Sequence, residues 1–257
     1  MIEQFSESAI DRLLKEYPPK VLSPEEKVRA RALREQRNRD ERAQKVSEGI
    51  QRIWQRNVPE RYRNVDLSTL EPNDVSHMPL DKQRAIIKKL RAAPLSGYCF
   101  CAPSGWSKST FMCALYREAL NACGSEIILN TGAWIGNYHP VVMMDAITLM
   151  DMIQDWKLGK IESPLITAEK IEILKQRYGF TTHLFLDEFE KVKKSVFRMG
   201  EMYNLINAMY KHGGQLVIAG NMTKADLDDK SQYLEGTFRR IEDLTTPHFW
   251  EFGQPQE

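Results

Sequence analysis

The chain has no apolar run long enough to span a bilayer. Its first residues, Met1-Ile2-Glu3-Gln4, have neither the basic start nor the apolar core of a secretory signal. A membrane-spanning or secreted protein is therefore not expected, and a cytoplasmic one is. Cysteine is scarce: Cys99, Cys101, Cys113 and Cys123 are the only four in 257 residues, with no Cys-x-x-Cys or His-x-x-x-His pattern to hold zinc. Cys99 and Cys101 alternate about Phe100 and cannot easily bridge, so all four read as small buried hydrophobes in a reducing compartment. Internal repeats, low-complexity tracts and linkers longer than a turn are also missing. Strong net charge is absent, at +1 overall. What remains is 42% hydrophobic and 28% charged, the balance of an ordinary globular protein. At this length it can bury a substantial core, as one main domain plus an appendage.

The small net charge hides an uneven distribution. Residues 25–63 hold 12 Lys/Arg against 7 Asp/Glu, a local +5, so the rest of the chain sums to −4. Ser23-Pro24-Glu25-Glu26 reads as a helix start, with Ser23 as cap, Pro24 in the first position and acids in the first turn. The spacing predicts a helix to about Gln55, with a late apolar stripe of Val46, Ile50, Ile53 and Trp54. A mixed-charge helix of this kind is either a solvated spacer or an arm that docks a partner or nucleic acid. A shorter helix is expected over Glu7–Lys15, with Ile10, Leu13 and Leu14 on one face.

The next scarcity is of glycine, in the one place where a motif calls for it. Tyr98-Cys99-Phe100-Cys101 reads as a buried strand that enters Ala102-Pro103-Ser104-Gly105-Trp106-Ser107-Lys108-Ser109-Thr110 and then a helix over Phe111–Leu120. The segment 102–109 fits G-x-x-x-x-G-K-[ST] except that Ala102 and Ser107 stand at the two glycine positions. Such a loop aims backbone N–H groups and a helix N-terminus at phosphates. Lys108 would reach the β- and γ-phosphates of ATP, and the Ser109 hydroxyl would ligate Mg²⁺. Glycine allows positive φ and close backbone approach, so Ser107, just before the lysine, is the costlier departure. Trp106 is expected to pack against a neighbour, with a lid over the nucleotide as the alternative.

Three downstream elements raise the odds of a nucleotide site. Thr182-His183-Leu184-Phe185-Leu186-Asp187-Glu188 is an apolar strand that ends in two acids, 79 residues after the lysine. Asp187 suits Mg²⁺ held through water, and Glu188 suits polarisation of an attacking water. Gln215–Asn221 is another apolar strand, ending in an amide able to orient that water. Thr237-Phe238-Arg239-Arg240-Ile241 carries an arginine pair able to neutralise charge at a neighbouring subunit's nucleotide.

Taken in this order and spacing, residues 57–252 resemble the DnaC/IstB-type AAA+ ATPases, which include helicase loaders and transposition ATPases. Asn57-Val58-Pro59-Glu60-Arg61-Tyr62-Arg63-Asn64 resembles the segment leading into the ATPase domain in the loader branch. Val141–Asp145 and Leu149–Ile153 resemble the second strand and the helix after it. The resemblance implies an α/β AAA+ P-loop core with a parallel sheet flanked by helices, over residues 57–257. A charged N-terminal helical region, 1–56, would bind the partner. It also implies Walker B at Leu184–Glu188, sensor 1 at Asn221, and an arginine finger at Arg240 or, as the alternate, Arg239. The implied activity is an ATP-dependent replication helper. It would form a homo-oligomer, load a replicative helicase and engage single-stranded DNA, with Lys157, Lys160 and Lys170 as phosphate contacts. The alternatives are a transposition ATPase that recruits a transposase to duplex DNA, and a nucleotide-binding scaffold with little hydrolysis. Residues 124–140 are expected as a turn-rich insert, with Trp134 and Tyr138 covering a core edge.

Overall fold

A computed structural model describes residues 23–131, 140–192, 195–229, 234 and 236–251. The expected helix Glu7–Lys15 and the side chains of Trp134 and Tyr138 lie outside these residues. Residues 1–44 and 45–257 form separate compact units. The first unit is described only from Ser23, as the exposed beginning of helix α1 (Pro24–Asn57). Ser23 caps it as expected: Glu26 N–H donates to Ser23 Oγ at 3.2 Å, and Ser23 N–H donates to the Glu26 carboxylate at 2.8 Å. Its surface carries i,i+4 pairs such as Arg31–Glu35, 2.9 Å apart.

The second unit begins with the last turns of α1 and continues through α2 (Leu80–Ala92), β1 (Tyr98–Cys101) and α3 (Lys108–Thr131). Then come β2 (Val141–Asp145), α4 (Ala146–Lys157), α5 (Ala168–Tyr178), β3 (His183–Asp187), α6 (Val196–Lys211) and β4 (Gln215–Gly220). It closes with α7 (Lys224–Asp228), α8 (Thr237–Thr245) and β5 (Phe249–Glu251). The five strands form one parallel sheet in the order β2-β3-β4-β1-β5. This is the expected α/β class. α3 runs on to Thr131, so the insert expected from residue 124 starts as helix. Among the described residues, no helix is long and apolar enough to cross a membrane.

The period-2 alternation of β1 explains the two packed layers. Tyr98 and Phe100 face one cluster with Trp54, Ile86, Leu90, Phe111 and Leu115. Cys99 and Cys101 face the other, with Leu149, Ile171, Leu205 and Ile241. Helices on both faces bury the sheet, which lets its strands be nearly all apolar. Trp54 Nε1–H donates to Arg63 O at 3.0 Å, and Asn57 donates to the Tyr116 hydroxyl at 2.8 Å. The first bond folds the segment after α1 back on it, and the second ties the end of α1 to α3. The functional candidates all follow from one consequence of this topology: β1, β3 and β4 are adjacent and parallel, so their carboxyl ends open at one edge.

Candidate nucleotide-binding site

At that edge β1 runs into the loop 102–107. Ala102 is buried, and its N–H continues the ladder to Gly220 O at 3.2 Å. Its backbone does not enter the left-handed region, so a glycine there is not required. Ser107 differs, with φ +57°. The serine adopts the left-handed turn that glycine adopts freely, at a cost of roughly 1–2 kcal/mol. Gly105 is the loop's remaining glycine and also needs its freedom: φ is +80°, and an added Cβ would lie 2.8 Å from the His77 ring. The loop is braced from behind, where His77 N–H donates to Gly105 O at 3.0 Å. Trp106 is 6% exposed within the core cluster, which is packing, not a lid. Pro103 and Ser104 form the outward part of the turn. Ser107 ends it, and Lys108, Ser109 and Thr110 open α3 with N–H groups that have no helical acceptor.

Lys108 is folded back. Its ammonium donates to Ala102 O at 2.6 Å, to Pro103 O at 2.7 Å and to Asn221 Oδ1 at 2.7 Å. Burial lowers its pKa, against the charges of Glu190 and Asp187, which raise it. Ser109 Oγ donates to Asp187 Oδ2 at 2.9 Å. The other Asp187 oxygen accepts the Glu188 N–H at 2.9 Å. Two hydrogen-bonded pairs, Lys108–Asn221 and Ser109–Asp187, thus start from neighbouring residues at the start of α3 and reach the ends of β4 and β3. Glu188 has φ +52° and pairs with Lys191, which turns its carboxylate toward the protein's own cation.

Two acids at the site escaped the sequence reading. Asp145 ends β2 in register with Asp187. Loss of solvation, then the charges of Glu188 and Asp187, raises its carboxyl pKa. Glu190 packs beneath Gly220, where a Cβ would lie 2.8 Å from its Oε2. That oxygen is buried without a hydrogen bond. A strand-end position was a usable signal for Asp145. Nothing in the sequence distinguished Glu190 from a surface acid.

The remaining candidates lie elsewhere. Among the described residues, Arg239 and Arg240 on α8 make no hydrogen bond or ion pair to the loop, Asp187, Glu188 or Asn221. Arg240 stacks on the Tyr210 ring at 4.3 Å, whereas Arg239 is exposed. Lys170 is buried and donates to Pro164 O at 2.5 Å, so it is not the free phosphate contact expected of it. Lys157 pairs with Glu169 at 3.9 Å and Lys160 with Asp155 at 3.0 Å.

No protein-family model and no curated protein matches the sequence. Solved structures do. The crystal structure of the DnaC helicase loader aligns with a TM-score of 0.50 at 16% identity, over 75% of this chain and 100% of that one. AMPPCP-bound DnaA from Aquifex aeolicus gives 0.48 at 15% identity, over 73% of this chain and 49% of that one. DnaI gives 0.46 at 14%, over 77% and 93%. At such identities the likeness speaks to the fold. The match extends over the whole DnaC chain, so this chain has a DnaC-like α/β fold, a parallel sheet flanked by helices.

Proposed function

We propose that the protein is an ATP-dependent DNA-replication helper that acts as a helicase loader, holding ATP between subunits and engaging single-stranded DNA. The observation that carries this reading is the convergence of Lys108, Ser109, Asp187 and Asn221 at one sheet edge. Its residues fit a nucleoside triphosphate with Mg²⁺. The first-turn N–H groups of α3 and the Lys108 ammonium are anion donors, and the Ser109–Asp187 pair is a hard-oxygen ligand set. Mg²⁺ bound there would neutralise charge on the phosphate oxygens.

The chain's own residues do the rest. Lys108 exchanges the carbonyls of Ala102 and Pro103 for phosphate oxygens, and thereby releases Asn221. The freed amide orients water, and Glu188, once parted from Lys191, accepts its proton. Arg240 or Arg239 of a second copy would meet the developing charge, so an isolated protomer should turn over slowly. DnaC is a helicase loader by name, and a replicative helicase is the partner proposed here. The folded-back Lys108 and the Glu188–Lys191 pair favour one second reading, a nucleotide-binding scaffold with little hydrolysis.

The test is ATP hydrolysis by the purified chain with no DNA, single-stranded DNA or duplex DNA, beside Arg239→Ala and Arg240→Ala. Stimulation by single strands that needs one of the arginines is the expected result. Preference for duplex would point to the transposition ATPase. Nucleotide binding without turnover would leave the scaffold.

A further inference from the structure

Three of the four cysteines, Cys99, Cys101 and Cys113, are buried. Burial pushes the Cys113 thiol up to about 12 and that of Cys99 upward as well. Cys123 on α3 differs. It is only partly buried, and its Sγ lies 3.2 Å from His183 Nε2. The imidazole is buried at the start of β3, and its Nδ1 lies 2.5 Å from Oε1 of Gln215, its register partner on β4.

The orientation of Gln215 is fixed from behind. Its Nε2 donates to Ser96 O at 2.6 Å and to Pro94 O at 3.3 Å. Oε1 therefore faces the histidine, and an amide oxygen only accepts. Nδ1 must carry the imidazole proton, so Nε2 presents its lone pair to the Cys123 thiol. Burial lowers the His183 pKa, which keeps the ring in the neutral form that can take a proton. Thiol, imidazole and amide thus stand in the order nucleophile, base and orienting group. The relay sits at the amino end of β3. Asp187 is at the carboxyl end, about 13 Å away at about 3.3 Å per residue. The nucleotide chemistry does not use it.

We propose that Cys123 is a modification site, a reactive thiol with His183 as its general base, that takes low-molecular-weight disulfides by thiol–disulfide exchange. As Sγ attacks one sulfur of the disulfide, the thiol proton passes to His183 Nε2. The S–S bond breaks, and the leaving thiolate collects that proton. The products are a mixed disulfide on Cys123 and one free thiol. The Cys123 sulfur is oxidised and the leaving sulfur reduced.

The probe is 5,5′-dithiobis(2-nitrobenzoate), added to the intact chain at pH 7. Release is followed by absorbance, and the adduct is located by peptide mass spectrometry. One thiol is expected to react first, at Cys123, about tenfold faster than free cysteine. Cys123→Ser removes that phase, and His183→Gln, checked for folding by circular dichroism, slows it about tenfold or more. The wild-type comparison with free cysteine stands even if the histidine variant does not fold. A Cys123 rate at or below that of free cysteine overturns the proposal. So does an unchanged rate in folded His183→Gln.

Discussion

Replacing Ser107 with glycine isolates the one backbone conformation that the loop holds against its residue type. The φ of +57° costs a serine roughly 1–2 kcal/mol, and glycine removes that cost. Glycine also gives the unfolded chain more freedom, worth about 0.5–1 kcal/mol in the opposite direction. The balance is a gain of up to about 1.5 kcal/mol, centred at about 0.8, which is a rise of about 2–3 °C in Tm for a domain of this size. Ser107→Ala keeps a Cβ at the same φ and should gain nothing, so the pair separates backbone strain from loss of the hydroxyl. Gly105→Ala is the converse control: φ is +80° and the new Cβ would meet the His77 ring at 2.8 Å, so its Tm should fall. Thermal melts followed by circular dichroism decide the matter. Ser107→Gly melting at or below wild type, or Ser107→Ala gaining as much, would refute the strain argument. Because serine already adopts the turn, ATP turnover should change little in Ser107→Gly.

Gly97→Ala should destabilise the domain by about 2–3 kcal/mol in urea denaturation. Its Cβ would run into the backbone oxygen of Leu244 and reach 3.0 Å from Leu216 O, forcing α8 and its arginines off the sheet. Glu188→Gln should retain ATP binding and lose hydrolysis, as read by nucleotide titration and phosphate release. Its urea midpoint should stay that of wild type, because the Lys191 pair it breaks is half-exposed to solvent. His183 gives a pH dependence. Its folded pKa is depressed by burial, so the unfolded chain binds the proton more readily. The contribution is present above the unfolded value of about 6.5 and is lost as pH falls through it toward the folded pKa. Urea midpoints between pH 7.5 and 5.5 should therefore fall more steeply in wild type than in His183→Gln.

The sequence made the sheet and its carboxyl edge readable because each strand there is a short apolar run, which in β3 and β4 leads into a polar residue. Asp187 and Asn221 stood out for that reason and Lys108 for its place in the loop motif, and their convergence followed from parallel pairing. The loop conformation was not readable in the same way. Serine at 107 looked like a loss of the glycine turn, whereas the surrounding bonds hold serine in it. Lys170 looked like a surface cation on the helical pair that the resemblance puts beside DNA, but its ammonium satisfies the carbonyls of Ser163 and Pro164. The position of Glu190 depends on the missing side chain at Gly220, a contact between β4 and a turn 30 residues earlier. β5 was too short to carry a strand pattern and owes its place to pairing with β1. The Cys123–His183–Gln215 relay joins three elements with no shared motif, so cysteine count and spacing pointed only to small buried hydrophobes.

The central claim is that Lys108, Ser109, Asp187 and Asn221 form a nucleotide site, and calorimetric titration of the full chain with ATP and Mg²⁺ tests it most directly. Wild type should bind one ATP per chain, more tightly with Mg²⁺ than with EDTA. Lys108→Ala should weaken binding at least about tenfold, the loss of one charge-assisted contact of about 1.5–3 kcal/mol. No binding by the folded wild type, or equal binding by folded Lys108→Ala, would contradict it.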